Sequence, residues 1–232
     1  METKKIILFL VEGVTDEYSL APTLKRIINE EEIMFSVIKG DITSNRDSTD
    51  KNIIEKIQNK VYEYISNEKL NKSDIIKIIH LVDTDGTYIK EKYFIEDQTF
   101  DKGFMYKETF IIAKDICRIK ERNERKSSIL NVLFETQKIE DIEYIVYYFS
   151  CNLEHVLHKE QCLDDKLKVR TAIEFSKRYK NDKEGFINLF NSNKIKVDGD
   201  YKETCEFIKE GTNSISRNCN FHLFLEEYKD RN

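Results

Sequence analysis

Ile6-Ile7-Leu8-Phe9-Leu10-Val11-Glu12-Gly13 and Ile75-Ile76-Lys77-Ile78-Ile79-His80-Leu81-Val82-Asp83-Thr84-Asp85-Gly86 decide how this chain is read. Each is an apolar, largely β-branched run that stops at acidic residues and a glycine. Such runs read as strands buried on both faces, as in a parallel sheet. In open α/β sheets the functional groups lie just beyond the carboxyl ends of the strands. Two adjacent strands would deliver Glu12, Asp83 and Asp85 to one edge, where close carboxylates repel unless a cation joins them. The expectation is a divalent-metal site acting on phosphates, above all the phosphodiester backbone of a nucleic acid.

Composition narrows the setting. The 232 residues are 40% hydrophobic and 35% charged, with a formal charge of −5. That balance supports a packed core and argues against a bulk field that attracts nucleic acid, while leaving room for a local basic groove. The five cysteines (117, 151, 162, 205 and 219) include no C-x-x-C pair, which suits reduced thiols and speaks against a zinc site. Met1-Glu2-Thr3-Lys4-Lys5-Ile6 has too short an apolar run for a signal peptide, and no segment approaches ~18 consecutive apolar residues. A cytoplasmic protein without membrane contact is expected.

Along the chain, strand and helix patterns alternate. After the first strand, Leu20, Ala21, Leu24, Ile27 and Ile28 have helical spacing, with Thr15 or Asp16 as N-cap and Pro22 expected to kink or restart the helix. Met34 to Ile38 reads as a second strand ending in Lys39-Gly40-Asp41. Ile53, Ile54, Ile57, Val61, Tyr64 and Ile65 mark a helix before the third strand. Residues 87–113 read as an irregular insertion with one strand-like run, Thr109 to Ala113. A charged helix follows over Lys114 to Gln137, and Tyr144 to Phe149 is the fourth strand, ending in Ser150-Cys151-Asn152 and a short helix from Leu153. The alternation predicts right-handed βαβ units and an α/β fold: a mostly parallel four-stranded sheet flanked by helices. Residues 1–160 are expected to form that domain, and 161–232 a mainly helical C-terminal extension.

Magnesium is commonly held by one or two carboxylates plus substrate phosphate. One or two such ions stabilise the attacking and leaving oxygens of an in-line displacement at phosphorus. Glu12 is a candidate metal ligand or general acid and base, and the N-terminus of the helix after Gly13 favours phosphate oxygens. Asp16 is a candidate both as N-cap and as ligand.

Ile7-Leu8-Phe9-Leu10-Val11-Glu12-Gly13-Val14-Thr15-Asp16 together with Leu81-Val82-Asp83-Thr84-Asp85 resembles the Toprim domain of topoisomerases, bacterial primases, small ribosomal-RNA maturation nucleases and phage-defence nucleases. The resemblance covers roughly residues 5 to 90. It implies Glu12 as general acid and base, Asp83 and Asp85 as holders of Mg²⁺ (or Mn²⁺), and Asp16 as the acid closing the first motif. A fainter likeness joins Phe149-Ser150-Cys151-Asn152-Leu153-Glu154-His155 and Ser214-Ile215-Ser216-Arg217-Asn218-Cys219-Asn220 to RloB-type abortive-infection proteins, although the proline of their Ser-Asn-Pro-like turn is missing. It implies that Glu154 joins the acidic cluster, that phage or plasmid defence is the setting, and that a partner ATPase or other defence-system protein takes part. No zinc ribbon, P-loop or evident nucleophilic tyrosine accompanies the motifs. A Mg²⁺-dependent nuclease acting on DNA or RNA is therefore expected.

Other features carry plainer readings. His80, inside an apolar run, is expected to be a satisfied core residue, and His155 and His158 to lie on a partly buried helix. Arg118, Lys120, Arg122, Arg125 and Lys126 interleave with Glu121 and Glu124 and read as a solvated helix face. Lys166, Lys168, Arg170, Lys177 and Arg178 form the denser basic run, the better candidate for nucleic-acid backbone contacts. The rival functions are a non-catalytic nucleic-acid-binding or regulatory module working with a partner protein, and a phosphotransfer enzyme using Asp83 as nucleophile.

Overall fold

The run Ile6–Val11 forms strand β1, and all six of its residues are buried. An apolar run without alternation requires this, because both faces of the strand must be covered. The computed structural model describes residues 5–28, 33–37 and 42–228 of the chain. Strand β2 (Ile33–Val37) lies parallel to β1, with Val11 opposite Val37. On the other side β3 (Ile75–Asp83) is also parallel to β1, with Leu10 opposite His80. The register slips between Ile6 and Ile7, and Ile76, skipped by the slip, is 46% exposed. The expected turn Lys39-Gly40-Asp41 lies outside the described residues.

The main sheet has five strands in the order β2-β1-β3-β8-β7, with β7 at Lys138–Ile139 and β8 at Ile142–Phe149. Four strands were expected. The fifth, β7, is a two-residue antiparallel partner of β8, too short to carry a periodic sequence signal. The chain leaves β1 for β2 on one side and returns to β3 on the other, so the topological switch point falls between β1 and β3. In doubly wound sheets ligands bind beyond the carboxyl ends at such a point.

Helix α1 (Val14–Ile27) buries Leu20, Leu24 and Ile27 and runs unbroken through Pro22. The expected restart does not occur. Helix α2 (Ile53–Asn67) buries Ile53, Ile57, Val61 and Ile65, a four-residue spacing that keeps one face apolar. Residues 87–113 are more regular than expected: β4 (Phe94–Glu96), β5 (Phe104–Tyr106) and β6 (Ile111–Ala113) form a second sheet in the order β4-β6-β5. Helix α3 (Ile116–Glu135) follows. After β8 come α4 (Leu153–His158), α5 (Asp165–Tyr179), α6 (Lys183–Phe190), α7 (Tyr201–Phe207) and α8 (His222–Tyr228), a helical C-terminal part. No helix among the described residues is long and apolar enough to cross a membrane.

Two units share the chain. The first takes the described residues of Met1–Leu81 with Ser128–Tyr147 and Val169–Phe186; the second takes Val82–Ser127, Tyr148–Lys168 and the described part of Ile187–Asn232. The expected boundary at residue 160 thus falls inside a segment of the second unit. In the first unit His80 is a buried core residue, as expected, and its Nδ1 lies 2.7 Å from the Tyr144 hydroxyl. In the second, Phe149, Phe190, Phe221, Phe224 and Tyr228 form a chain of ring contacts, with Phe221 stacked on Phe224 at 5.4 Å.

Phe221 is fully buried, so Phe221→Ala is expected to lower stability by about 3–5 kcal/mol. Ile95→Ala, at a position 46% exposed, should stay within about 0.5 kcal/mol, both read by urea denaturation. The buried His222 imidazole is held below its usual pKa of 6.5, by burial first and by Lys196, against the opposing pull of Glu226 and Asp198. Below pH 6.5 the unfolded chain takes up a proton that the folded chain still refuses. This contribution is therefore full above pH 6.5 and declines as pH falls, and His222→Gln should give a shallower loss of urea midpoint between pH 6.5 and 5.

Candidate functional site

The end of β3 turns sharply. Asp85 (φ 51°) and Gly86 (φ 67°) both adopt the left-handed conformation, which aspartate tolerates and glycine adopts freely. A Cβ on Gly86 would lie 2.5 Å from Ile215 and 3.0 Å from Ile111, so space as well as φ requires glycine there. Cys151, just past β8, is also left-handed at φ 59°. The two turns are stitched together: Thr84 N–H donates to the Phe149 carbonyl (3.0 Å) and Asp85 N–H to the Cys151 carbonyl (2.9 Å).

A third segment closes the weave. The Ser214 carbonyl accepts from Gly86 N–H (3.0 Å), Cys151 N–H (3.0 Å) and the Thr84 hydroxyl (2.7 Å). Ser150 N–H donates to the Asn218 carbonyl, Tyr148 N–H donates to Asn220 Oδ1, and Phe149 bridges Cys219 in antiparallel fashion. The sequence stretches 149–155 and 214–220, set apart by a faint likeness, are thereby brought together. Residues 187–228 serve as more than an appendage, because they complete the hydrogen bonding of these strand ends.

Asp83 ends β3 and is half-buried. Its Oδ1 accepts the Leu153 N–H at 3.0 Å, and Asn152 caps the same helix by accepting the His155 N–H at 2.8 Å. The carboxylate is thus fixed against the first turn of α4, whose other acid is Glu154. At the far end of α4 the Arg217 guanidinium donates to the carbonyls of His155 (3.1 Å) and Val156 (2.9 and 2.6 Å). Burial, with the nearby Arg217 charge, pushes the His155 imidazole down to about 4, so it is neutral at pH 7. Lys168 joins this acidic group. Burial pushes its ammonium down, but the bond to Asp165 and the charges of Glu154 and Asp83 raise it by more. Burial likewise pushes the Cys151 thiol up, and Asp85 and Asp83 add to the rise.

Asp85 has a different environment from Asp83. Its Oδ2 accepts from Lys126 Nζ at 2.6 Å and its Oδ1 from the Tyr106 hydroxyl at 3.0 Å. Arg122 donates to the Asp85 carbonyl (2.7 Å) and to the Tyr106 hydroxyl (3.1 Å) while lying 5.1 Å over the Phe104 ring. Asn123 donates to the Gly86 carbonyl at 2.9 Å. The Lys126 side chain is 0% exposed, so the expectation of a solvated face on α3 fails for Arg122 and Lys126. The signal was present: Ile119, Arg122, Lys126, Ile129 and Leu133 recur every three or four residues, which puts both cations on the apolar stripe.

The remaining candidates are placed as follows. Glu12, half-buried, lies in the first unit, and Asp83 in the second. Asp16 does not begin α1: Gly13 is the N-cap, and Asp16 Oδ2 accepts the Gly13 N–H at 2.9 Å from one turn inside. On α5, Lys166, Arg170, Lys177 and Arg178 are exposed, Arg170 paired with Glu174 at 2.8 Å. Among the described residues no group of three or more His, Cys, Asp or Glu side chains is arranged to hold a metal ion. The donor chemistry still suits magnesium at Asp83 and Glu154, since that ion commonly takes only one or two carboxylates.

Gly86→Ala is expected to destabilise the protein by more than about 1 kcal/mol, read as a lowered urea midpoint, because the alanine would be both left-handed and crowded by Ile215. Gly103→Ala, equally left-handed but with open space around the added methyl, should have the smaller effect of the two. No family model matches the chain, and no curated protein or solved structure matches it either.

Proposed function

We propose that the chain is a magnesium-dependent nuclease of the Toprim type, cleaving phosphodiester bonds of DNA or RNA. The observation that carries this reading is the position of Asp83, at the carboxyl end of the strand that borders the topological switch point, with its carboxylate anchored on the Leu153 N–H. In this reading Asp83 and Glu154 hold the ion, and Glu12 is the general acid and base that the resemblance assigns. Magnesium held there would supply charge stabilisation for a displacement at phosphorus.

The chain's own groups have separable tasks. Asp83, with one oxygen fixed by a backbone N–H, presents a preset orientation at no further ordering cost when the ion binds. Lys168, kept charged by Asp165, Glu154 and Asp83, supplies a cation for a phosphate oxygen. The exposed Lys166, Arg170, Lys177 and Arg178 give backbone attraction that a net charge of −5 does not. Defence against phage or plasmid, with an ATPase or other defence-system protein as partner, is the setting that the resemblance suggests.

Labelled DNA and RNA, incubated with Mg²⁺, Mn²⁺ or EDTA, test the reading. Metal-dependent cleavage is expected, reduced about 100-fold or more in Glu12→Gln and in Asp83→Asn. Cleavage that persists in EDTA, or that neither substitution alters, overturns the proposal. Binding without cleavage supports the non-catalytic module instead.

A further inference from the structure

The two acids of the Asp-x-Asp motif part company in the fold. Asp83 turns to the N–H of Leu153, whereas Asp85, left-handed at φ 51°, turns to Lys126 and Tyr106. A fully buried ammonium has to be answered by negative charge, since burying it unpaired is prohibitive. Lys126 is such a group, and Asp85 Oδ2 answers it at 2.6 Å. The other carboxylate oxygen accepts the Tyr106 hydroxyl at 3.0 Å. The Asp85 carboxylate is therefore already engaged on both oxygens by this chain's own groups.

We propose that Lys126 is a resident cation at Asp85 and that the site accordingly takes one divalent ion, through Asp83, rather than two. The inference rests on the metal-dependent reading above and specifies its stoichiometry. An ion coordinated at ~2.1 Å to the oxygen that Lys126 holds would lie within about 5 Å of the ammonium nitrogen. At that range the ammonium's charge opposes a second ion, and the carboxylate that ion would need is already shared between Lys126 and Tyr106. Arg122, one helical turn before Lys126 and bonded to the Asp85 carbonyl and to Tyr106, adds a second fixed positive charge beside the same residue. The motif thus divides its labour: Asp83 meets an exchangeable ion, and Asp85 meets one that is covalently part of α3. Lys126 is a positioning residue, acting on the site through Asp85.

Mn²⁺ binding to the full-length chain, followed by calorimetry and by electron paramagnetic resonance of the free ion, decides this without reference to activity. One ion per chain is expected, weakened more than about tenfold in Asp83→Asn and retained in Asp85→Asn. Lys126→Met, which removes the ammonium without adding a charge, is expected to gain a second ion if circular dichroism shows it folded. Should the Asp85 and Lys126 variants fail to fold, the wild-type count and the Asp83→Asn loss still decide the matter. Two ions in the wild type, or one ion that survives Asp83→Asn, overturn the inference and leave a metal-dependent nuclease standing. No ion at millimolar Mn²⁺ overturns both.

Discussion

A charged amine out of reach of water dictates what surrounds it. Lys126 is paired with Asp85, which takes the left-handed conformation where the chain turns out of β3. Gly86 is left-handed as well, and Ile111 and Ile215 leave no room there for a Cβ. The backbone of this turn is in turn bonded to Phe149, Cys151 and Ser214, so the ion pair sits where the second unit's turns meet. Replacing such a pair by apolar residues can leave a protein equally stable, whereas removing one partner strands a buried charge.

The C-terminal segment belongs to this arrangement physically. A turn that ends two strands leaves N–H groups pointing away from the sheet, and buried N–H groups need acceptors. Ser214, Asn218 and Asn220 supply them to Gly86, Cys151, Ser150 and Tyr148. The helices around these residues then bury the aromatic chain from Phe149 to Tyr228, which keeps water from competing for the same bonds. Asp83 and Glu154 consequently sit on a base held from three directions, with α4 capped by Asn152 at one end and by Arg217 at the other.

Much of this was legible in the residues. Continuous apolar runs identified β1, β3 and β8, because only a strand covered on both faces has use for them. Asp83 followed from its position at the end of such a run. Strand β7 was not legible, since two residues carry no period. Asp16 was read one turn early, as an N-cap, because an acid at either position quiets a helix N-terminus. Arg122 and Lys126 were misread since Glu121 and Glu124 beside them mimic a solvated face, and only their phase with Ile119 and Leu133 gives them away. The stretch from Ser214 was marked only by a faint likeness, and its role was not legible, because the working group of Ser214 is a backbone carbonyl, which every residue possesses.

The Ser214 carbonyl also bears on how the molecule is made. Its partner Thr84 is 130 residues earlier in the chain. Closing so long a loop carries an entropy cost before any bond repays it, and folds rich in distant contacts form slowly. During synthesis the strand-end turns wait for their acceptor until most of the chain has left the ribosome. The first unit has all its residues by then. A chain cut short before Ser214 would carry both aspartates without the backbone acceptor that joins the turns at Thr84, Gly86 and Cys151.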